Sequence, residues 1–236
     1  MAITDLTGVF TYHNDLSRDG VNAHEYALNT TTLNSTTFGK IAVCAIDAAA
    51  YAQPLWVANV SVGGGTHNVL IAATQHDTVY AFDADASPCH TYWSKSLLES
   101  GETWGTSGDV NTDDIKPHIG IVGTPVIDPS TNTIYVVSKS KSGSTFHQRL
   151  HALNLADGSE KFSGPREIAF TSGNLSFNAL KENQRAGLAL VNGVVYIAYA
   201  SHGDNPTYYG WVVGYSASSL AQVSLFNDNP KGSFGG

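Results

Sequence analysis

A chain of 236 residues with 12 Lys and Arg against 20 Asp and Glu carries a formal net charge of -8. That balance excludes nucleic acid and anionic membrane as expected partners, because both reward a basic surface. With 14% charged residues, abundant Ser, Thr, Asn and Gly, and no apolar run near the ~18 residues that span a bilayer, the composition is that of a turn-rich β protein. Met1-Ala2-Ile3-Thr4 has neither the basic nor the apolar region of a signal peptide. A secreted or periplasmic location is expected, with the signal removed and Met1 added for expression.

The leading segment, 1–50, is polar and turn-rich, from Tyr12-His13-Asn14-Asp15 through Arg18-Asp19-Gly20. A capped turn over Asn29–Thr37 precedes an expected strand near Gly39–Ala45. Cys44 and Cys89 either close a loop across the first repeat or stand as unrelated thiols, one in a strand and one in a loop. Four Asn-x-Ser/Thr triplets, at Asn29, Asn34, Asn59 and Asn174, are read as chance matches in so Ser- and Thr-rich a chain.

Three repeats follow, over about 51–98, 121–165 and 185–227, within a single domain 1–236. Each is a strand pair with a turn. Val69–Ala73 precedes Thr78–Asp83; Thr133–Val137 precedes Arg149–Asn154; Val194–Ala198 precedes Trp211–Ser216. Aligning Ala81, Ala152 and Gly214 gives spacings of 71 and 62 residues, and Pro54 and Pro125 are also 71 apart. Repeated strand pairs without helices between them specify an all-β propeller of four-stranded blades. Near-continuous apolar runs such as Ile134–Val137 indicate strands covered on both faces. Asp128-Pro129-Ser130-Thr131-Asn132 and Asn192-Gly193 are turns with a mechanism: Pro fixes φ, Asp and Asn bond nearby backbone groups, and Asn-Gly suits a tight hairpin.

The second repeat, Ala152-Leu153-Asn154-Leu155-Ala156-Asp157-Gly158-Ser159-Glu160-Lys161-Phe162, resembles the Ala-x-Asp-x-x-x-Gly-x-x-x-Trp repeat of quinoprotein alcohol dehydrogenase-like propellers. Asn154 replaces the Asp and Phe162 the Trp. The first repeat keeps Ala81-Phe82-Asp83, with Ser87 for the Gly and Trp93 two places late; the third keeps almost none of the pattern. The resemblance implies a Trp girdle that docks one blade on the next. Three repeats and a leading strand fall short of the 4–8 blades that close a ring. About three to four blades are therefore expected, with Gly232–Gly236 resembling a connection to a further blade, or a homodimer completing the ring.

For chemistry, Asp109-Val110-Asn111-Thr112-Asp113-Asp114 places oxygen ligands at alternate positions, as a calcium loop does, without the Gly and Glu of an EF-hand. Asp109, Asn111, Asp113 and Asp114 are the candidate calcium ligands. The nine His show no metal spacing, so zinc is not expected. Gly105-Thr106-Ser107-Gly108 is no nucleophile elbow, and no helix is expected after it. His202 with Asp204, and His76 with Asp77, are the candidate catalytic pairs, a His acting as base and an Asp orienting it. Gln75, Arg185, Tyr209 and Trp211 are the candidate ligand contacts. The quinoprotein resemblance implies a vicinal Cys pair beside pyrroloquinoline quinone; Cys44 and Cys89 are not adjacent, so PQQ is not expected. The resulting expectation is a module binding a small molecule or glycan through its loop face, with a calcium-dependent lactone or sugar-ester hydrolase as the alternative.

Overall fold

The computed structural model describes residues 7–22 and 28–230. The first sheet runs β1 (Gly8–Val9), β2 (Leu55–Val62), β3 (Gly65–Ala73), β4 (Thr78–Asp83) and β5 (Thr91–Ser96), each antiparallel to the next. A connection carries β6 (Thr103–Thr106), the one-turn α1 (Ser107–Val110) and β7 (His118–Ile119). The second sheet is built on β8 (Val126–Asp128), β9 (Thr133–Ser142), β10 (Thr145–Asn154) and β11 (Arg166–Glu167), with β6 and β8 sharing one edge of β9. A small hairpin of β12 (Thr171–Ser172) and β13 (Leu175–Ser176) leads to β14 (Glu182–Asn183). The third sheet comprises β15 (Ala189–Val191), β16 (Val194–Ser201), β17 (Trp211–Ser216) and β18 (Gln222–Asn227), with β14 on the edge of β16.

All three sequence repeats are adjacent antiparallel pairs in register: Val69 opposite Asp83, Asn154 opposite Thr133, Val194 opposite Ser216. Pro54 and Pro125 each stand immediately before a strand, β2 and β8, outside the ladder where a missing N–H costs no bond. The turns follow their sequences. Asp128 Oδ1 accepts from Ser130 N (2.9 Å), and Asn192 and Gly193 both take positive φ between paired Val191 and Val194.

Side-chain alternation stacks these sheets. Residues Thr133 to Ser140 of β9 are buried without a break, because both faces of the strand are covered. Ile134 and Val136 join Ile71, Val79 and Ala81 of the first sheet in one core. Tyr135 and Val137 join Ile197, Trp211 and Val213 of the third sheet in another. Each such apolar side chain contributes roughly 1.5–3 kcal/mol on burial. Side-chain bonds to backbone carbonyls add direction: Trp93 Nε1 donates to Leu155 O (3.1 Å), and Tyr135 Oη donates to Ala217 O (2.6 Å), each reaching from one sheet to the turn of the next. Three antiparallel sheets packed face to face, with no closed barrel among the described residues, are successive blades of a partial β-propeller.

The structure corrects three expectations. Residues 39–45 form no strand. β1 already occupies the edge of β2, and the segment crosses the first sheet instead, held by Asp47 N to Tyr80 Oη (3.2 Å), Ser87 Oγ to Ile41 O (3.1 Å) and the Cys44–Cys89 disulfide. The fourth strand of the second repeat is interrupted: a Leu153–Glu160 bridge and then the two-residue β11 pair with β10, with Phe162 and Ser163 at positive φ between them. A helical turn does follow Gly105: Thr106 caps it, accepting from Asp109 N while Asp109 accepts from Thr106 N.

Candidate functional site

Loops from all three sheets converge on Lys139 of β9. Its backbone N–H donates to Asp77 Oδ1 (3.1 Å) in the β3–β4 turn, and its Nζ lies 2.7 Å from His202 Nε2 in the β16–β17 loop. Nζ also donates to Leu180 O (2.9 Å) and Glu182 O (3.2 Å), so each ammonium hydrogen has an acceptor. Gln148, opposite Lys139 on β10, donates to Ala179 O and Glu182 O and fixes the same segment.

These groups are nearly closed to water: Asp77 is 0%, Glu182 1%, His202 3% and Lys139 4% exposed. Desolvation disfavours charge. Burial pushes the Asp77 carboxyl well above the usual range, against the Lys139 N–H that steadies its ionised form. Burial pushes Lys139 down to about 7, with Glu182, Asp109 and Asp77 pulling the other way. It pushes Glu182 up to about 7, opposed by the Trp211 indole, the Tyr209 backbone amide and Lys139. Burial and the Lys139 charge together hold His202 at about 3. His202 is thus a neutral imidazole whose Nε2 faces the Lys139 donor, so its proton belongs on Nδ1.

That geometry corrects the expected His202–Asp204 pair. Asp204, exposed and in the left-handed region, accepts instead from Tyr208 Oη (3.0 Å), and an imidazole pushed down this far with Nε2 engaged is a poor general base. His76 and Asp77 diverge likewise: Asp77 turns into the buried centre, whereas His76 stacks on Trp104 (3.7 Å between ring centroids) and meets His118. Gln75 is buried, its Nε2 donating to Lys116 O (3.0 Å). Trp211 packs in the second core against Phe170, 1% exposed, which leaves it a packing role. Tyr209 is half-buried on the same core, and Arg185 is exposed.

The expected calcium ligands scatter. Asp109 caps α1 and accepts from Lys141 Nζ at 2.6 and 2.7 Å, Asn111 is the left-handed C-cap, Asp113 pairs with Lys116 (2.9 Å) and Asp114 is exposed. Among the described residues no three His, Cys, Asp or Glu side chains are grouped to hold a metal. The residues present do not fit calcium as arranged.

Two concavities flank this centre and share Leu180. One, of about 190 Å³, is lined by Asp109, Asn111, Lys181, His202 and Asn205. The other, of about 390 Å³, is lined by Phe146, Glu167, Phe177 and Asn178. Asn205 Nδ2 donates to Val110 O (2.8 Å), which ties the β16–β17 loop to α1 across the smaller one. Neither the groove nor the roles of Lys139 and Glu182 were anticipated from sequence. The available signal was a Lys inside a strand otherwise read as buried on both faces.

The chain is similar to two solved quinohemoprotein alcohol dehydrogenases. One, from Pseudomonas putida HK5, is 10% identical at a TM-score of 0.47, with 78% of this chain and 32% of that chain covered. The other, from Comamonas testosteroni, is 11% identical at 0.42, with 78% and 31% covered. The chain thus spans about a third of the length of either structure. No protein-family match is found, and no curated protein matches. The partial propeller itself stands on the three sheets and the two cores between them.

Proposed function

We infer that this propeller module binds a small carbohydrate or polyol through its loop face, in the groove on either side of Leu180. The observation that supports this most is the pairing of half-buried Phe146 and Phe177 with Glu167 and Asn178 in the larger concavity, next to Asn111 and Asn205 in the smaller one across Leu180. An aromatic face accepts the C–H side of a sugar ring, while carboxylate and amide groups bond its hydroxyls. Lys139 and Lys141, with Nζ 5.9 and 5.8 Å from the Phe146 ring centroid, keep that ring in place. A glycan array followed by calorimetry tests the reading. Saturable binding that Phe177→Ala abolishes supports it; a folded protein silent on the array overturns it.

The alternative, a calcium-dependent lactone or sugar-ester hydrolase, draws on one observation: Asp109 and Asn111 line the smaller concavity beside His202. It requires Asp109 to leave Lys141. Turnover of a lactone panel that is lost with EDTA and restored by calcium would favour it over binding alone. The Cys44–Cys89 disulfide supports a secreted or periplasmic setting, where such bonds persist. Exposed Val212 and Phe226 of the third sheet support association of two chains to extend the ring.

A further inference from the structure

His76 and His118 lie 42 positions apart, a separation that no metal-binding motif would flag, yet His76 Nε2 and His118 Nδ1 are 2.8 Å from each other. Both rings are held by elements on either side of the first blade and the 101–120 connection. His76 sits in the β3–β4 turn, where its N–H donates to Thr74 Oγ1 (3.3 Å) and Thr74 N donates to Thr78 O (3.0 Å). His118 is paired with Thr106 in the β6–β7 ladder. Trp104 lies flat on His76 at 3.7 Å and 11°, and edge-on to His118 at 5.0 Å. On the far side of His76, Nδ1 faces Asp47 Oδ2 at 3.9 Å, and that carboxylate is fixed by Thr74 Oγ1 (2.7 Å) and Thr78 Oγ1 (2.6 Å).

We propose that His76 and His118 form a two-histidine binding site for a divalent transition-metal ion, with the Asp47 carboxylate as a charged neighbour 3.9 Å behind His76. Imidazole nitrogens suit copper, nickel and zinc, and a ligating His is commonly oriented by a carboxylate at its other nitrogen. His76 Nε2 faces His118 Nδ1 at 2.8 Å, so one of the two nitrogens donates its proton to the other until a metal displaces it. Metal–nitrogen bonds of about 2.0–2.1 Å at a tetrahedral angle need the two nitrogens about 3.3 Å apart, an opening of about half an ångström. His76 retains 19% side-chain exposure, which gives an ion access and leaves room for water on its remaining positions. No third His, Cys, Asp or Glu is grouped with the pair among the described residues, so water completes the coordination and the copper ion binds most tightly in the series. The bound ion bridges the first blade to the connection that carries α1.

The test is titration of the EDTA-stripped protein with copper(II), nickel(II) and zinc(II) salts, read by calorimetry and by Trp fluorescence. The expected result is one saturable site, copper quenching the Trp104 emission and raising the thermal midpoint. His76→Gln and His118→Gln, each checked for a native circular dichroism spectrum, should abolish that site; Asp47→Asn, which removes a negative charge near the pair, should weaken it severalfold. Trp104→Phe keeps both ligands, so it should retain the calorimetric site and lose most of the quenching, which keeps the proposal testable if a His variant misfolds. Absence of saturable binding in the parent overturns the proposal, as does an unchanged isotherm in a folded His variant. Quenching of full amplitude in Trp104→Phe overturns it too, because the ion would then sit elsewhere.

Discussion

Trp93 and Gly158 lock the first sheet to the second: a Cβ added at Gly158 would stand 2.8 Å from the Trp93 ring, and the indole N–H donates to Leu155 O in the same turn. Gly158 also takes φ of +70°, a backbone conformation that side chains resist. Gly158→Ala should therefore cost about 2 kcal/mol or more, and Trp93→Ala about 3 kcal/mol, in urea-unfolding midpoints. Equal stability of Gly158→Ala and the parent would show that the turn can move away from the indole.

A second lock holds the connection before β6 onto the second sheet. Arg149 grips Glu102 with two nitrogens at 2.9 and 2.7 Å, and Ser140 Oγ adds a third bond. Burial alone would raise the Glu102 carboxyl, but the Arg149 and Ser140 hydrogen bonds, the Glu99 N–H and the Arg149 charge hold it at about 2. Glu102 therefore contributes stability that is fully present above about pH 4.5 and lost as pH falls toward 2. Arg149→Met should cost about 3–5 kcal/mol at neutral pH by stranding the Glu102 charge. Glu102→Gln should flatten the acid limb of the stability profile. Denaturant melts of both variants across pH 2–7 check the two outcomes.

His202 has its own acid signature. Its folded value near 3 lies below the ordinary 6.5, so the unfolded chain binds the extra proton between those limits. Stability from the neutral imidazole is complete above about pH 6.5 and falls by roughly 1.4 kcal/mol per pH unit down to about 3. Glu182, raised to about 7, acts in the opposite sense, losing stability as pH rises from 4.5. The informative quantity is the difference between parent and His202→Gln, which keeps an acceptor for Lys139. That difference should carry the full slope over pH 3–6.5, and a flat difference would place the protonation elsewhere.

Reducing the Cys44–Cys89 disulfide, which spans 45 positions, should lower stability by about 4 kcal/mol. It should release residues 40–50 from the first sheet. Hydrogen exchange with and without reductant should show faster amides in that segment and unchanged protection in β9.

Association of chains through the third sheet predicts a concentration-dependent mass in sedimentation, which Phe226→Lys should abolish without altering the thermal midpoint. A parent that stays a monomer at high concentration would exclude that role for the sheet.

Much of the fold was legible in the residues. The β3–β4, β9–β10 and β16–β17 pairs follow from apolar runs of strand period, and the Asp128 and Asn192-Gly193 turns follow from side chains that bond their own backbone. The expected strand at 39–45 failed because pairing depends on a free edge, and β1 had taken it. The site was legible only in fragments. His76, Asp77 and His202 stood out as polar groups in hairpin loops, but their partners could not be seen. Asp77 and His202 meet through Lys139, 62 and 63 positions away, and His76 meets His118 at 42. Strand periodicity tells which face a side chain takes, and it settled the blades. Which groups share a buried space depends on how the sheets stack, and stacking alone gave His202 a lysine in place of an aspartate.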